Sequence, residues 1–296
     1  MADRSDSLFL NFPGEWFVDS SCINCDACRQ LAPSVFAEAE DYAYVKAQPE
    51  TDDQERRALR ALLACPTGSI GNDHPARARE VIEDFPLTLN REVYYLGFNS
   101  VKSAGGNSYL ITNPGGNWMI DAPRFTGHLK EAIDQAGGIE FLLYTHAGSI
   151  ADGPSYASLF GAQQIIHRDA LEAVHQAEVV IDGVQEIELI SDYQILPTPG
   201  IRKGHLSLLY NRRYLFSGEL LWWNRYRDRL TTSRERSRYS REEQLESLQR
   251  LTNYPFDMIL PAHGNREKRS AEEMRDQLDA LVMRFSKDDN TDSESG

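Results

Sequence analysis

Four cysteines constrain this chain more than any other feature of its sequence. Cys22, Cys25 and Cys28 have two residues between neighbours, and Cys65 is followed directly by proline. They are the only cysteines among the 296 residues, so chance is a poor explanation for three of them at this spacing. Thiolate sulfur holds iron–sulfur clusters, and a C-x2-C-x2-C run is typical of the loop around one. The spacing therefore predicts an iron–sulfur site.

Two other uses of the four cysteines stay open at this point. Zinc also binds four thiolates, but structural zinc sites usually use two C-x2-C pairs rather than a triplet. Two disulfides would need an oxidising compartment, yet the first twenty residues contain no basic segment followed by an apolar one that would direct secretion. The favoured interpretation is one [4Fe-4S] cluster, because all four ligand positions are filled.

The charge and hydropathy of the chain exclude some classes of function. The formal net charge is −14, so the field of the whole molecule repels polyanions and argues against generic binding to nucleic acid or to an anionic membrane. No apolar run approaches the roughly 18 residues that a membrane-spanning helix needs. We therefore expect a cytoplasmic protein, or a stromal one if it is made in or processed by a plastid.

The chain around the cysteines has the element order of a small redox domain. Short apolar strands flank the cysteine loop, and a helix is predicted from Glu50 to Leu63, with Thr51 as its N-cap and acidic residues in its first turn. This order, ending in Cys-Pro, resembles a bacterial-type single-cluster ferredoxin over residues 14–72. The resemblance implies a redox partner protein and four cluster ligands, which are Cys22, Cys25, Cys28 and Cys65.

The remaining residues divide into regions of different character. Residues 1–13 are interpreted as an N-terminal extension, and residues 73–90, with prolines among charged residues, as a linker. Alternating strands and helices from residue 91 to residue 285 predict a larger second domain. Residues 286–296 are interpreted as a disordered acidic tail. The predicted fold class is α+β.

The larger domain resembles the metallo-β-lactamase fold in the order of its motifs. These motifs are Asn107-Ser108-Tyr109-Leu110-Ile111, Ile120-Asp121-Ala122-Pro123, Tyr144-Thr145-His146, Pro197-Thr198-Pro199-Gly200, Phe216-Ser217-Gly218-Glu219 and Leu260-Pro261-Ala262-His263-Gly264. The resemblance implies an αββα sandwich over residues 91–285. Together with the first domain, the chain is similar to a family of ferredoxin–metallo-β-lactamase fusions. Fold is the stronger inference here, because one fold hosts many activities.

The metal-binding positions of that fold are only partly filled in this chain. Such hydrolases hold two zinc or iron ions with an H-x-H-x-D-H loop, a histidine after Pro-Gly, a bridging aspartate and a late histidine. His146 and His263 fill the first and last positions, and Asp152 fills the aspartate position if the loop carries a two-residue insertion. Glu219 replaces the bridging aspartate, and Ile201 stands where a histidine is expected.

The incomplete donor set changes the role expected of the larger domain. Each missing donor must be replaced to close a coordination shell, so a dinuclear hydrolase site is not expected. A single ion bound by the four remaining donors stays open, but hydrogen-bonded histidines without zinc or iron are the favoured interpretation. The remaining donors are His146, Asp152, Glu219 and His263. If the two carboxylates meet, repulsion would raise the pKa of one, unless a basic neighbour such as Arg202 or Lys203 offsets it.

An arginine-rich segment follows Trp222-Trp223. Its arginines are Arg225, Arg227, Arg229, Arg234, Arg236, Arg238 and Arg241. Guanidinium groups beside aromatic rings suit an anionic partner or RNA. Charge runs are more often solvated faces, so a loop covering the mouth of the pocket is favoured and nucleic acid is not expected.

The complete cysteine set beside the incomplete histidine and aspartate set leads to one functional hypothesis. It is an iron–sulfur electron-transfer or redox-sensing protein whose hydrolase-like domain binds a partner protein, a redox complex or a small ligand, in assembly or regulation. The alternative is a metal-dependent hydrolase or oxidoreductase with a mononuclear site coupled to the cluster. No catalytic residue is assigned from the sequence.

Overall fold

The structure is a computed structural model that describes residues 2–174, 176–233 and 239–293. Contacts divide the chain into two compact units. The N-unit comprises Met1–Leu143 and Gly148–Gln163, and the C-unit comprises Tyr144–Ala147 and Gln164–Gly296. The ferredoxin-like segment thus packs in one unit with the first half of the larger domain. The boundary between the units therefore differs from the predicted domain boundary at residue 91.

The cysteine-bearing part of the N-unit contains two short strand pairs and two helices. These elements are β1 (Phe17–Val18), α1 (Ala27–Leu31), β2 (Phe36–Glu38), β3 (Ala43–Val45), α2 (Asp52–Ala64) and β4 (Ile70–Gly71). Strand β1 pairs antiparallel with β4, and β2 with β3. The predicted second helix is confirmed, because the Thr51 side chain accepts a hydrogen bond from the Gln54 N–H at the start of α2.

The predicted N-terminal extension and linker both carry ordered contacts. Leu8 donates its N–H to the Val18 carbonyl, and Phe12 donates to Val45, so residues 1–13 pack along β1 and β3. The linker contains a 3-10 helix, Pro75–Asp84, and a strand, β5 (Leu87–Asn90). The segment predicted as a linker, residues 73–90, therefore contains local helix, and its last residues also pair in the sheet.

The sheet of the N-unit has the strand order β9-β8-β7-β6-β5. Its further elements are β6 (Val93–Tyr95), β7 (Tyr109–Ile111), β8 (Trp118–Ile120), α3 (Gly127–Gln135), β9 (Phe141–Leu143) and α4 (Gly153–Phe160). Strands β8 and β9 are parallel and the other neighbours antiparallel. Every residue of β7 and β8 is buried, as expected for the centre of a covered sheet.

The C-unit contains a second sheet with the order β12-β13-β14-β15-β18-β19. The elements of this part of the chain are β10 (Gln163–His167), β11 (Val179–Ile181), β12 (Ile187–Ile190), β13 (Tyr193–Pro197), β14 (Leu206–Tyr210), β15 (Tyr214–Gly218), β16 (Trp222–Asn224), β17 (Arg229–Thr231), α5 (Arg241–Leu251), β18 (Met258–Pro261), β19 (Glu267–Lys268) and α6 (Ala271–Ser293). Outside the second sheet, β10 pairs parallel with β11, and β16 pairs antiparallel with β17. Apolar side chains of α5 and α6 form one core with the sheet, including Leu248, Leu278 and Leu215.

Helix α6 continues beyond the predicted end of the domain. It extends to Ser293, into the segment 286–296 that is interpreted as a disordered acidic tail, and residues 294–296 lie outside the described part. No helix within the described residues is both long enough and apolar enough to cross a membrane.

Candidate functional site

The four cysteines line one pocket of the N-unit. Cys22 and Cys25 precede α1, Cys28 lies within it, and Cys65 follows α2. Cys28 and Cys65 are buried, and the other two are half-buried. The remaining wall is mostly apolar or bears small hydroxyl groups, and includes Val18, Ile23, Ala27, Ala43, Thr67, Ser69 and Ile70. The structure thus brings all four predicted ligands together.

A buried arginine holds the cysteine loop in shape. Asn24 and Asp26 adopt left-handed backbone conformations, with φ of 52° and 74°, which short polar side chains tolerate best. Arg29 donates from Nε to Asp26 Oδ1 at 2.6 Å and from Nη1 to Asn24 Oδ1 at 2.6 Å. Its side chain is only 6% exposed. The positive charge beside the thiols therefore has a fixed position.

The environment of the thiols suits coordination rather than nucleophilic chemistry. Burial of the sulfur raises the pKa of Cys25 to about 12, although the Ala27 N–H opposes the shift. Burial also raises the pKa of Cys28 well above its usual value. Catalytic cysteines show the opposite shift, because they react as thiolates at neutral pH. Thiols of this kind lose their protons when their sulfur atoms bind a metal centre.

The chemistry of the donors suits an iron–sulfur cluster. The four cysteines share one pocket, and thiolates are the ligands of such clusters. Among the described residues, no group of three or more His, Cys, Asp or Glu side chains that could hold a single metal ion is found.

In the C-unit, the carboxylate of Glu219 is held by an arginine. Arg202 Nε lies 2.7 Å from Oε2 and Nη2 lies 3.2 Å from Oε1, while His146 Nε2 lies 3.3 Å from Oε1. Burial would raise the pKa of Glu219, but the hydrogen bonds and positive charge of these partners hold it far below its usual range. The guanidinium therefore neutralises the glutamate at the position of the bridging aspartate.

His205 is a structural histidine beside Glu219, and these two residues with Arg202 and His146 are called the Glu219 pocket. Its Nε2 accepts from the Glu219 backbone N–H at 3.1 Å, and its Nδ1 lies 2.8 Å from Thr198 Oγ1. Since Nε2 accepts, Nδ1 carries the proton and donates it to the threonine. Burial, aided by His146 and Arg202, lowers the pKa of His205 to about 3, so the ring is neutral. Both ring nitrogens are thus occupied by protein groups.

Two further positions of the C-unit carry no donor side chain. Ile201, at the position where a ligand histidine was expected, is buried and contributes only hydrocarbon. Gly218 has φ of +53°, and a Cβ there would lie 2.5 Å from His205 Nε2 and 2.9 Å from Thr145 Cβ. Only glycine allows the chain to pass so close to the histidine.

Asp152 has partners of its own in the N-unit. Lys102 Nζ lies 2.5 Å from Oδ1, and the Phe125 N–H donates to Oδ2 at 3.0 Å. Burial would raise the pKa of Asp152, but these bonds lower it. Asp152 and Glu219 each have a basic partner and neither pKa is raised, which is the outcome expected where a basic neighbour offsets the negative charge. Of the two predicted basic neighbours, Arg202 pairs with Glu219, whereas Lys203 pairs with Asp169 at 3.0 Å.

His263 lies half-buried just after β18, in a loop that the tryptophan hairpin covers. The Trp223 N–H donates to the Asn265 carbonyl at 3.1 Å, and Arg225 donates to Asn265 Oδ1 at 2.5 Å. The hairpin β16–β17 therefore packs as a cover over this loop. Three arginines of the segment lie outside the described residues, namely Arg234, Arg236 and Arg238.

Comparisons with known proteins find two kinds of similarity in this chain. Residues 18–72 match the family model of the 4Fe-4S single cluster domain of Ferredoxin I. A metallo-β-lactamase from Hirschia baltica superposes with a TM-score of 0.51 at 17% identity, covering 66% of this chain and 96% of that one. An archaeal metallo-β-lactamase superfamily protein from Sulfolobus tokodaii gives 0.43 at 16% identity, covering 64% and 86%. No curated protein matches in sequence.

The chain is a fusion of a ferredoxin-type domain and a metallo-β-lactamase fold. At such low identity the likeness to the lactamases establishes fold and not activity. The ferredoxin-type domain indicates an iron–sulfur cluster and hence a redox partner.

Sequence reasoning missed several residues of the fusion that shape its two pockets. Arg29 has a local signal, because it is a charge next to Cys28 in an apolar stretch. Lys102, which pairs with Asp152, has none, since it lies fifty residues away in sequence. Thr198, the partner of His205, stands in a Pro-Thr-Pro-Gly motif that shows the turn and not the hydrogen bond.

Proposed function

We propose that the fusion is a one-cluster electron-transfer or redox-sensing protein whose metallo-β-lactamase fold binds a partner protein or a small ligand. The observation that carries the proposal is the contrast between the pockets. Four thiols face one cavity, whereas both oxygens of Glu219 are bonded to Arg202. The ligands proposed for a single [4Fe-4S] cluster are Cys22, Cys25, Cys28 and Cys65.

The cluster, when bound, supplies one-electron chemistry to this chain. The chain's own residues hold it and shape its surroundings. The Ala43 N–H points at Cys22 Sγ from 3.5 Å, and Arg29 fixes the loop beside Cys28. Hydrogen bonds to sulfur and nearby charge are the means by which proteins tune a cluster's potential.

The second pocket supports a binding role better than hydrolysis. Metal-assisted hydrolysis needs a cation with an open position for water. Here Arg202 provides the positive charge, and a guanidinium has no coordination position to offer. The proposed occupant of the domain is a redox partner, a protein complex or a small ligand, in a cytoplasmic or stromal compartment.

Metal analysis of anaerobically purified full-length protein tests the proposal. We expect four iron atoms and four sulfides per chain, a one-electron reduction seen by EPR, and no stoichiometric zinc. Cys25→Ala should abolish the signal, and the matched variant Glu219→Gln should keep it. A colourless wild-type protein would contradict the cluster. Stoichiometric zinc or iron that survives Cys25→Ala but not Glu219→Gln or His263→Ala would favour the metal-dependent hydrolase instead.

A further inference from the structure

The turn around Gly105 covers the cysteine loop from outside the ferredoxin-type segment. Gly105 has φ of +81°, and a Cβ there would lie 2.5 Å from Cys25 Cβ, 3.0 Å from Cys25 Sγ and 3.0 Å from Pro66 Cγ. No side chain fits in that space without moving a proposed ligand. The main chain of the turn therefore forms part of the wall around Cys25.

A buried asparagine makes this wall rigid. Asn99 is fully buried, and its Nδ2 donates to the Gly105 carbonyl at 2.7 Å. Its Oδ1 accepts from the Tyr95 hydroxyl at 2.7 Å, so the amide is fixed at both ends. A buried amide with all partners in place resists displacement, because an unpaired one would lose its solvation without compensation.

An arginine from the same half of the N-unit reaches the other side of the cysteine site. Arg124 Nη2 donates to the Leu63 carbonyl at 2.8 Å, in the last turn of α2 and two residues before Cys65. Its backbone N–H donates to the Phe98 carbonyl at 2.9 Å, and its carbonyl accepts from the Tyr156 hydroxyl at 2.8 Å. A cation at a helix C-terminus satisfies an otherwise unpaired carbonyl and faces the negative end of the helix dipole.

The charges around Arg124 support its link to the cysteine site. Burial lowers the pKa of Arg124, while the negative charge of a Cys65 thiolate and that of Asp152 oppose the shift. Arginine remains protonated in proteins under such conditions. A permanent positive charge therefore lies within electrostatic reach of Cys65.

We propose that Arg124 is part of the cluster site and raises its reduction potential, and that Gly105 keeps the space that the cluster loop needs. This inference rests on the proposed function, since it requires a bound cluster. Reduction takes one electron from an external reductant and adds one negative charge, and no bond forms or breaks. A fixed cation near Cys65 stabilises the more negative state, the more so in surroundings that water does not screen.

A potentiometric titration of the full chain tests the role of Arg124. We expect Arg124→Gln to lower the midpoint potential, with the reduced-to-oxidised ratio at a fixed potential falling about tenfold, or 59 mV for one electron. Arg124→Lys keeps the positive charge, so its midpoint potential should lie close to that of the wild type. The control Arg57→Gln removes an exposed arginine from α2 that pairs with Asp53, and it should leave the potential unchanged. The shift at Arg124 should persist in high salt.

Iron content tests the role of Gly105 by an independent route. Gly105→Ala should lower the iron bound per chain at least twofold, with the far-UV circular dichroism of the wild type. The control Gly127→Ala changes a glycine with open space around its Cβ position and should bind iron normally. An alanine at 105 with full iron content would remove Gly105 from the site.

The outcomes separate this inference from the proposed function. A wild-type chain that binds no cluster overturns both. An Arg124→Gln chain that is fully loaded and has the wild-type potential overturns only the inference about Arg124. If Arg124→Gln folds but loses iron while Arg124→Lys keeps it, the arginine belongs to the site, and its charge is what the site requires.

Discussion

The cysteine pocket and the Glu219 pocket differ in what balances the charge of their donors. Cys25 and Cys28 have pKa values raised by burial, and the nearby Arg29 donates hydrogen bonds to Asp26 and Asn24. Glu219 has the opposite pKa shift, because Arg202 and His146 are bonded to its oxygens. In the proposed function, a bound cluster takes the place of the protons on the donors of the first pocket. The second has found its counter-charge within the chain.

Two adjacent residues of the C-unit account for the second half of this contrast. Ile201 carries no donor at the position where the resemblance implies a ligand histidine, and Arg202 beside it pairs with Glu219. The carboxylate can then stay buried, because a buried charge is tolerated when it is paired. The metallo-β-lactamase fold thereby remains available for other uses.

The largest effect that would sharpen the comparison is cluster removal. A group that binds only the folded state at a thousand times its dissociation constant stabilises it by about 4 kcal/mol. We expect chelation to weaken the N-unit by that order and to leave the C-unit little changed. Hydrogen exchange with mass spectrometry resolves the two units. An equal loss of hydrogen-exchange protection in the N-unit and the C-unit would contradict the prediction that the cluster stabilises mainly the N-unit.

Removing the arginine of the second pocket should give the next largest effect. Arg202→Met leaves Glu219 without its cation, and we expect a loss of about 2 kcal/mol in the free energy of unfolding, less than for a fully buried pair because Arg202 is 30% exposed. In a Glu219→Gln background the same change should cost far less. Urea unfolding of the wild type, the two single variants and the double variant measures the coupling energy between Arg202 and Glu219. Additive effects of the two substitutions would mean that the ion pair does not contribute to stability.

A carboxylate clamp in the N-unit predicts a smaller, pH-dependent effect. Asp84 accepts from Arg60 at 2.6 Å and from Arg56 at 2.8 Å, and although burial would raise its pKa, these bonds lower it. A carboxyl whose pKa is lower in the folded state stabilises the folded protein at pH values above its unfolded pKa of about 3.9. This stabilisation is lost as the pH falls through the folded-state pKa. Asp84→Asn should therefore cost about 1 kcal/mol at pH 7.

The comparison of the two Asp84 chains is made across pH. Urea midpoints of wild type and Asp84→Asn should converge as the pH falls below about 3.9. A difference that stays constant from pH 7 to pH 3 would assign the effect to packing and not to charge. The Glu219 pair should resist acid longer, since its pKa is shifted further.

Local signals in the sequence revealed much of the fold and the first pocket. The cysteine spacing indicated a cluster loop, and Thr51 with its acidic neighbours indicated the start of α2. The strand at Leu87–Asn90 was missed although Leu-Thr-Leu alternates, because the prolines nearby favoured a loop. Pairing is the harder part. Arg202 was named only as one of two basic neighbours of the carboxylates, and sequence could not choose between it and Lys203.

The division into units also concerns how the chain is made. The N-unit ends at Gln163, and of the residues before that point only Tyr144–Ala147 belong to the C-unit. Proteins emerge from the ribosome N-terminus first, and compact parts fold as they become complete. The four cysteines, Gly105 and Arg124 all precede Ile187, the first residue of the second sheet, in the sequence. If the proposed cluster is inserted during translation, its site can therefore be complete before the second sheet has been made.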